Sequence, residues 1–223
     1  MHRKTKLIIL LLLSFSVYFI FKYNNKDVIK IVNIGDSLSQ SINSKIFKEY
    51  KYLDYYKDDS NQKLIINNDY SKKELTLHEF NILLKNSASL KRLLREADQV
   101  FITLGYNDLI YNIALKENSN KKIVGIQKEY ITCLHEIKKY YKRKPIVIGY
   151  YNSYYNEELD QSIAKLNKII KEEEVIFIDT SQIIDSPKYF SNQYSYYLNK
   201  KGYQVISQEI IKKTWYFFCF LLY

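Results

Sequence analysis

The sequence predicts an α/β domain built on a parallel sheet of about five strands covered by helices on both faces. Two patterns carry that expectation. Short, continuous apolar runs recur along the chain, each closed by Gly, Asn or Asp, and between them lie segments whose apolar residues repeat at helical spacing. A strand that is apolar on both of its faces belongs in a sheet buried on both sides, and strands alternating with helices make such a sheet parallel. The expected architecture is therefore a three-layer, doubly wound, flavodoxin-like α/β/α domain, in which ligands sit outside the carboxyl ends of the strands.

The elements follow in order. Val28–Ile34 is the first strand and runs into Gly35-Asp36-Ser37-Leu38. Ile42, Ile46, Phe47 and Tyr50 mark a helix. Leu64-Ile65-Ile66 is a brief second strand, with Asn67-Asn68-Asp69 as its turn. Leu90, Leu93, Leu94 and Ala97 share one helical face ahead of a third strand, Val100–Leu104, which Gly105 ends. Ile126, Tyr130, Cys133, Leu134 and Ile137 form the next helical stripe. Pro145 opens a fourth strand, Ile146–Tyr150; Leu159, Ile163, Leu166 and Ile170 line a helix; Val175–Ile178 is the fifth strand. A closing helix begins near Gly202 with Tyr203, Ile206 and Ile210. No repeat or low-complexity tract interrupts this order.

The chain of 223 residues holds one such domain plus an appendage. Leu7–Phe21 is an almost unbroken apolar run behind Arg3, Lys4 and Lys6, the pattern of a signal anchor. No small-x-small cleavage site follows, so we expect residues 1–23 to be a retained transmembrane helix with the domain (27–213) outside the cytoplasm; secretion after cleavage is the alternative. Residues 214–223 form an apolar, aromatic tail. The formal net charge is +10, but the lysines are dispersed and no nucleic-acid-binding signature is present; a solvated lysine-rich surface is the expected reading, with anionic lipid second. Cys133 and Cys219 have no metal-ligand spacing, and no cofactor or metal is expected.

Two polar clusters stand at strand ends: Gly35-Asp36-Ser37-Leu38 after the first strand and Gly105-Tyr106-Asn107-Asp108 after the third. Taken singly, each is an ordinary turn or helix cap. As a pair in register with the α/β pattern, they resemble the SGNH (GDSL) hydrolase family, and Leu198-Asn199-Lys200-Lys201-Gly202-Tyr203 opening the last helix is similar to its final block. The resemblance implies that Ser37 is a nucleophile toward an ester carbonyl and that Asn107 donates to the oxyanion. It further implies that Gly105 shapes the oxyanion turn and that Asp36 and Asp108 hold their turns. The implied substrate is an ester-bearing lipid or cell-wall glycan.

The same resemblance marks a departure. The family's Asp-x-x-His falls on Tyr194-Ser195-Tyr196-Tyr197, so Tyr197 stands at the histidine position and Tyr194 at the aspartate position. The chain has three histidines, His2, His78 and His135, all distant in sequence; His78 is the one alternative base worth testing. A phenol, with an ordinary pKa of ~10, stays protonated at neutral pH and cannot replace imidazole. Weak or absent hydrolysis is expected, with ligand binding by a silent relative as the alternative. The oxyanion glycine that the family places after its second strand also has no counterpart in Asn67-Asn68-Asp69-Tyr70.

Overall fold

The computed structural model describes residues 13–17, 28–36, 39, 52–60, 63–114, 120–192 and 197–220. Within them, five strands form one sheet: β1 (Ile29–Gly35), β2 (Leu64–Ser71), β3 (Gln99–Thr103), β4 (Ile146–Ile148) and β5 (Ile176–Ile178). Their order is β2-β1-β3-β4-β5, and all four pairings are parallel. The strand order reverses between β1 and β3, and it is at such a switch point that the two loops leaving the sheet part to leave a crevice.

Helices lie in two sets. On one face, α1 (Tyr52–Asp59) packs against α8 (Lys200–Phe220). The other set comprises α2 (Leu77–Asn86), α3 (Ala88–Glu96), α4 (Tyr106–Ala114), α5 (Asn120–Tyr140) and α6 (Glu157–Lys171), which contact one another. A single turn, α7 (Thr180–Ile183), follows β5. Helix α6 illustrates the sequence logic: Asn156 caps it by accepting from Leu159 N, acids fill its first turn, and Leu159, Ile163, Leu166 and Ile170 are buried along one face. Each of those side chains contributes ~1.5–3 kcal/mol by leaving water. Helix α2 carries a full capping box, Thr76 accepting from Glu79 N while the Glu79 carboxylate accepts from Thr76 N.

The second strand departs from the sequence expectation. It runs on through Asn67-Asn68-Asp69 to Ser71 instead of turning there. Between Val32 and Ile34 the register with β2 jumps from Asn67 to Tyr70, so β2 accommodates an extra residue as a bulge. Asn33, fully buried, fixes the irregularity by donating from Nδ2 to Asn68 Oδ1 at 2.9 Å. As an edge strand, β2 tolerates polar residues that would not suit a central one. The loop that leaves this strand is consequently Lys72-Lys73-Glu74-Leu75. That loop contains no glycine either.

Helix α1 has no counterpart in the sequence expectation, helix α2 is the one expected to start near His78, and the helix expected through Ile42–Tyr50 lies outside the described residues. So does most of the expected anchor. Residues 13–17 are helical, with Leu13, Phe15 and Val17 exposed at 59, 63 and 57 %. Among the described residues, no helix is long and apolar enough to cross a membrane.

Candidate active site

The ends of β1, β3 and β4 meet at one carboxylate. Asp36 is fully buried directly after β1, and its main-chain N–H donates to Thr103 O at 2.9 Å. Its Oδ2 accepts from Tyr106 N and from the Tyr150 hydroxyl, each at 3.0 Å. Tyr106 opens α4 after β3, and Tyr150 follows β4, so Asp36 ties three strand ends together. The Tyr106 and Tyr150 rings lie 5.2 Å apart. Asn167 of α6 holds Tyr150 in turn, accepting from Tyr150 N at 2.9 Å and donating to Tyr150 O at 2.6 Å.

This arrangement brings the two motif turns to one rim of the sheet. Ser37 itself lies outside the described residues. The described residues that flank it are Asp36, as above, and Ser39, which is buried, donates to Asp36 O at 2.7 Å and contacts Ser71 Oγ at the end of β2. On the β3 side, Gly105 turns the chain into α4 at φ 104°, a left-handed conformation that a side chain disfavours. Asn107 and Asp108 then sit in the first turn of α4 and not in a plain turn.

The side chains of these two residues face the loop after β2. Both amide hydrogens of Asn107 point to main-chain carbonyls, Lys73 O and Leu75 O, at 3.0 Å each. Donation from Asn107 to an oxyanion thus requires exchange of one of these bonds. Asp108 accepts from Leu77 N at 3.1 Å, pinning the start of α2 to α4. Asp36 and Asp108 therefore bridge elements far apart in sequence, holding the turns together from within.

Burial pushes the Asp108 carboxyl up from the ordinary carboxylate range to about 6, with its main-chain hydrogen bonds pulling it partly back. A carboxyl whose pKa is higher in the folded than in the unfolded chain binds more protons when folded, so folding is favoured below the unfolded value. That advantage is lost as pH rises through the folded value. Stability should fall by roughly 2–3 kcal/mol between about pH 4 and 6 on this group's account. Asp108→Asn should flatten that part of the pH–stability curve, measured by urea unfolding across the window.

Tyr197 is half-buried, and its carbonyl accepts from Ser191 N at 3.0 Å. It neighbours Tyr151 and Tyr203, and all three lie on the Asp36 side of the domain. Burial raises the pKa of Tyr151 and Tyr203, and Tyr150 is raised further by the Asp36 charge it donates to. None of these buried phenols supplies a base at neutral pH. Leu198 and Asn199 act structurally: Leu198 bridges to Phe190, while Asn199 donates to Lys188 O and Phe190 O and accepts from Gly202 N at the start of α8. Tyr194 lies outside the described residues.

The two described histidines face elsewhere. His78 is 71 % exposed, with Nδ1 3.5 Å from Glu129 Oε1 on α5, and His135 pairs with Glu173 at 3.1 Å, ahead of β5 and at the opposite edge of the sheet. Cys133 is buried, which raises its thiol and leaves it inert as a nucleophile. Among the described residues, no cluster suits a metal ion. Tyr106 and Asn167 escape sequence reasoning: in so tyrosine-rich a chain one aromatic reads as bulk, and an asparagine within a helix carries no signal of the strand end it braces.

The doubly wound parallel sheet brings the Asp36 turn and the Gly105–Asp108 helix start to one rim, the arrangement that the sequence motifs imply. Residues 31–210 match the model of the GDSL-like lipase/acylhydrolase family, and the chain belongs to that family. Solved structures agree on the fold. A lipase, Lip_vut3 from a goat rumen metagenome, superposes with TM-score 0.67 at 20% identity, covering 83% of this chain and 97% of its own. A variant of Axe2, an acetyl-xylooligosaccharide esterase from Geobacillus, gives 0.64 at 13% identity, with 83% and 93% covered. A Clostridium thermocellum family 3 carbohydrate esterase gives 0.59 at 18%, with 88% and 100% covered. No curated protein matches the chain.

Proposed function

We propose that this chain is a membrane-tethered, extracytoplasmic member of its family whose site binds an ester-bearing lipid or glycan and turns it over slowly. The observation that carries this reading is the Asp36 junction, which joins the residue before Ser37 to the residue before Asn107. Ser37 is the nucleophile toward the acyl carbonyl, and the main-chain N–H groups of its turn, with Asn107, stabilise the oxyanion. Attack by the Ser37 oxygen would give an acyl-serine and release the alcohol; water then releases the acid. Tyr197 occupies the position of the histidine that would take the serine proton, and this is why turnover is slow. Tethering through residues 1–23 rests on the apolar run and its basic flank.

A second reading, a non-catalytic binder of acylated or glycan ligands, is favoured by the two carbonyl bonds that already occupy the Asn107 amide. Exposed Tyr154 and Tyr155 offer ring faces to such a ligand, whereas Tyr150 and Tyr151 are buried in the core. Hydrolysis of p-nitrophenyl acetate by the full chain in detergent, beside its Ser37→Ala variant, separates the readings. A slow rate that falls on removal of the Ser37 hydroxyl is expected; identical rates would leave only the binding role.

A further inference from the structure

Helix α3, Ala-Ser-Leu-Lys-Arg-Leu-Leu-Arg-Glu, is divided lengthwise. Leu90 and Leu94 are fully buried and Leu93 is half-buried, all packed on the core along one side. Ser87 fixes the start of the helix, accepting from Leu90 N at 3.1 Å. The opposite side presents Lys91, Arg92 and Arg95, and the end of α2 adds Lys85, whose carbonyl accepts from Lys91 Nζ at 2.6 Å. Lys85, Arg92 and Arg95 are exposed and Lys91 is half-buried. Lys91 and Arg95, one turn apart, stand over the same Tyr140 ring, 5.6 and 5.3 Å from its centre.

Among the described residues, none of these four cations is within ion-pair distance of a carboxylate. The neighbouring acids are engaged elsewhere: Glu136 pairs with Lys139, and Asp98 accepts from Lys30 N and pairs with Arg143. Glu96, the one acid of α3, makes no ion pair with them. Like charges one turn apart work against a helix. The Tyr140 ring face offsets part of that repulsion, and the helix dipole favours Arg95 in the last turn. Neither accounts for Arg92 or Lys85. A surplus of one sign held on a rigid face attracts a surface of the opposite sign. The convex side of a helix does not enclose a small ligand, but it meets an extended surface at several points at once. Four or more Lys and Arg on an amphipathic helix complement anionic headgroups in this way.

We infer that the face formed by Lys85, Lys91, Arg92 and Arg95 docks on the phosphate headgroups of an anionic bilayer. Each cation brought to such a surface favours association roughly fivefold, and salt screens the attraction. Leu90 and Leu94 stay in the core, so the contact is electrostatic and inserts no apolar side chain. Because the helix is already packed, its cations are presented without any ordering step on binding. The contact requires neither a transmembrane tether nor turnover at the Asp36 rim, and it stands or falls apart from both.

Lysine footprinting reads this face directly. The full chain is mixed with vesicles of phosphatidylglycerol and phosphatidylcholine, or of phosphatidylcholine alone, and pulsed with the membrane-impermeant acetylating reagent sulfo-N-hydroxysuccinimide acetate. Mass spectrometry then gives the acetylation rate of each lysine. Expected are co-flotation with the phosphatidylglycerol vesicles and acetylation of Lys85 and Lys91 roughly fivefold or more slowly than with phosphatidylcholine. Lys57 of α1 and Lys201 of α8, exposed on the other face of the sheet, should react equally in both. Salt at about 1 M, where charges act over only ~3 Å, should restore the rates of Lys85 and Lys91, as should Arg92→Gln with Arg95→Gln. Equal rates in the two kinds of vesicle overturn the inference, as does protection that survives both salt and the double substitution. Slowing of Lys57 and Lys201 alongside the pair overturns the choice of face. A chain that does not float with phosphatidylglycerol overturns the contact outright. Protection by soluble polyphosphate with none by phosphatidylglycerol would assign the face to a dissolved polyanion and overturn the bilayer.

Discussion

Introducing Tyr194→Asp together with Tyr197→His should raise the rate of p-nitrophenyl acetate hydrolysis by roughly 10²–10⁴-fold, the usual contribution of a positioned general base. The serine hydroxyl is a poor nucleophile until a neighbour accepts its proton, and at the position where the family has its histidine this chain carries the phenol of Tyr197. Tyr151 and Tyr203, beside Tyr197, are held protonated by burial, so no rearrangement among them produces a base at neutral pH. An imidazole at position 197 would titrate in the physiological range. The gain should therefore appear with a pH–rate profile that rises through about pH 6–7, a signature that a general improvement in folding would not produce.

The largest expected effect on stability belongs to Asp36→Ala. Asp36 is fully buried and satisfies the Tyr106 N–H and the Tyr150 hydroxyl at once. Truncation leaves both donors without an acceptor in the interior, at ~1–3 kcal/mol each, so a loss of roughly 2–6 kcal/mol is expected in urea unfolding. Asp36→Asn keeps one acceptor oxygen and should cost less. The effect on the site goes beyond stability, because the same carboxylate fixes the β3 turn against the β1 turn. A protein that stays folded but loses its Ser37-dependent activity on this substitution would show the junction at work.

The sheet was legible because period and composition report burial directly. Val100–Leu104 reads as a strand and is one, the middle strand of the sheet, wholly buried from Gln99 to Thr103. Asn67-Asn68-Asp69 misleads for an equally physical reason: local turn preference loses to pairing with β1 once a bulge and the Asn33–Asn68 bond take up the extra residue. The start of α4 shows the same limit, since Gly-Tyr-Asn-Asp reads as a turn but is a helix's first turn. At the site, the two motifs were readable by spacing, yet the bond that joins them was not. Nothing in the sequence links Asp36 to Tyr150, which lies 114 residues away. Nor does composition distinguish a tyrosine that closes the rim from the many placed elsewhere. The partners of Asn107 depended on the loop after β2, whose position shifted once that strand ran on to Ser71.

The proposed function makes Ser37 the nucleophile for acyl transfer, and in that reading the chain carries Tyr197 where an imidazole would take its proton. The most direct measurement is the p-nitrophenyl acetate rate of Tyr194→Asp/Tyr197→His with and without an added Ser37→Ala. Collapse of the gain in the triple variant to the level of the uncatalysed reaction is the expected result. An equal rate in double and triple variants would mean that the new histidine acts without Ser37, and it would contradict the assignment of this rim as a serine-hydrolase site.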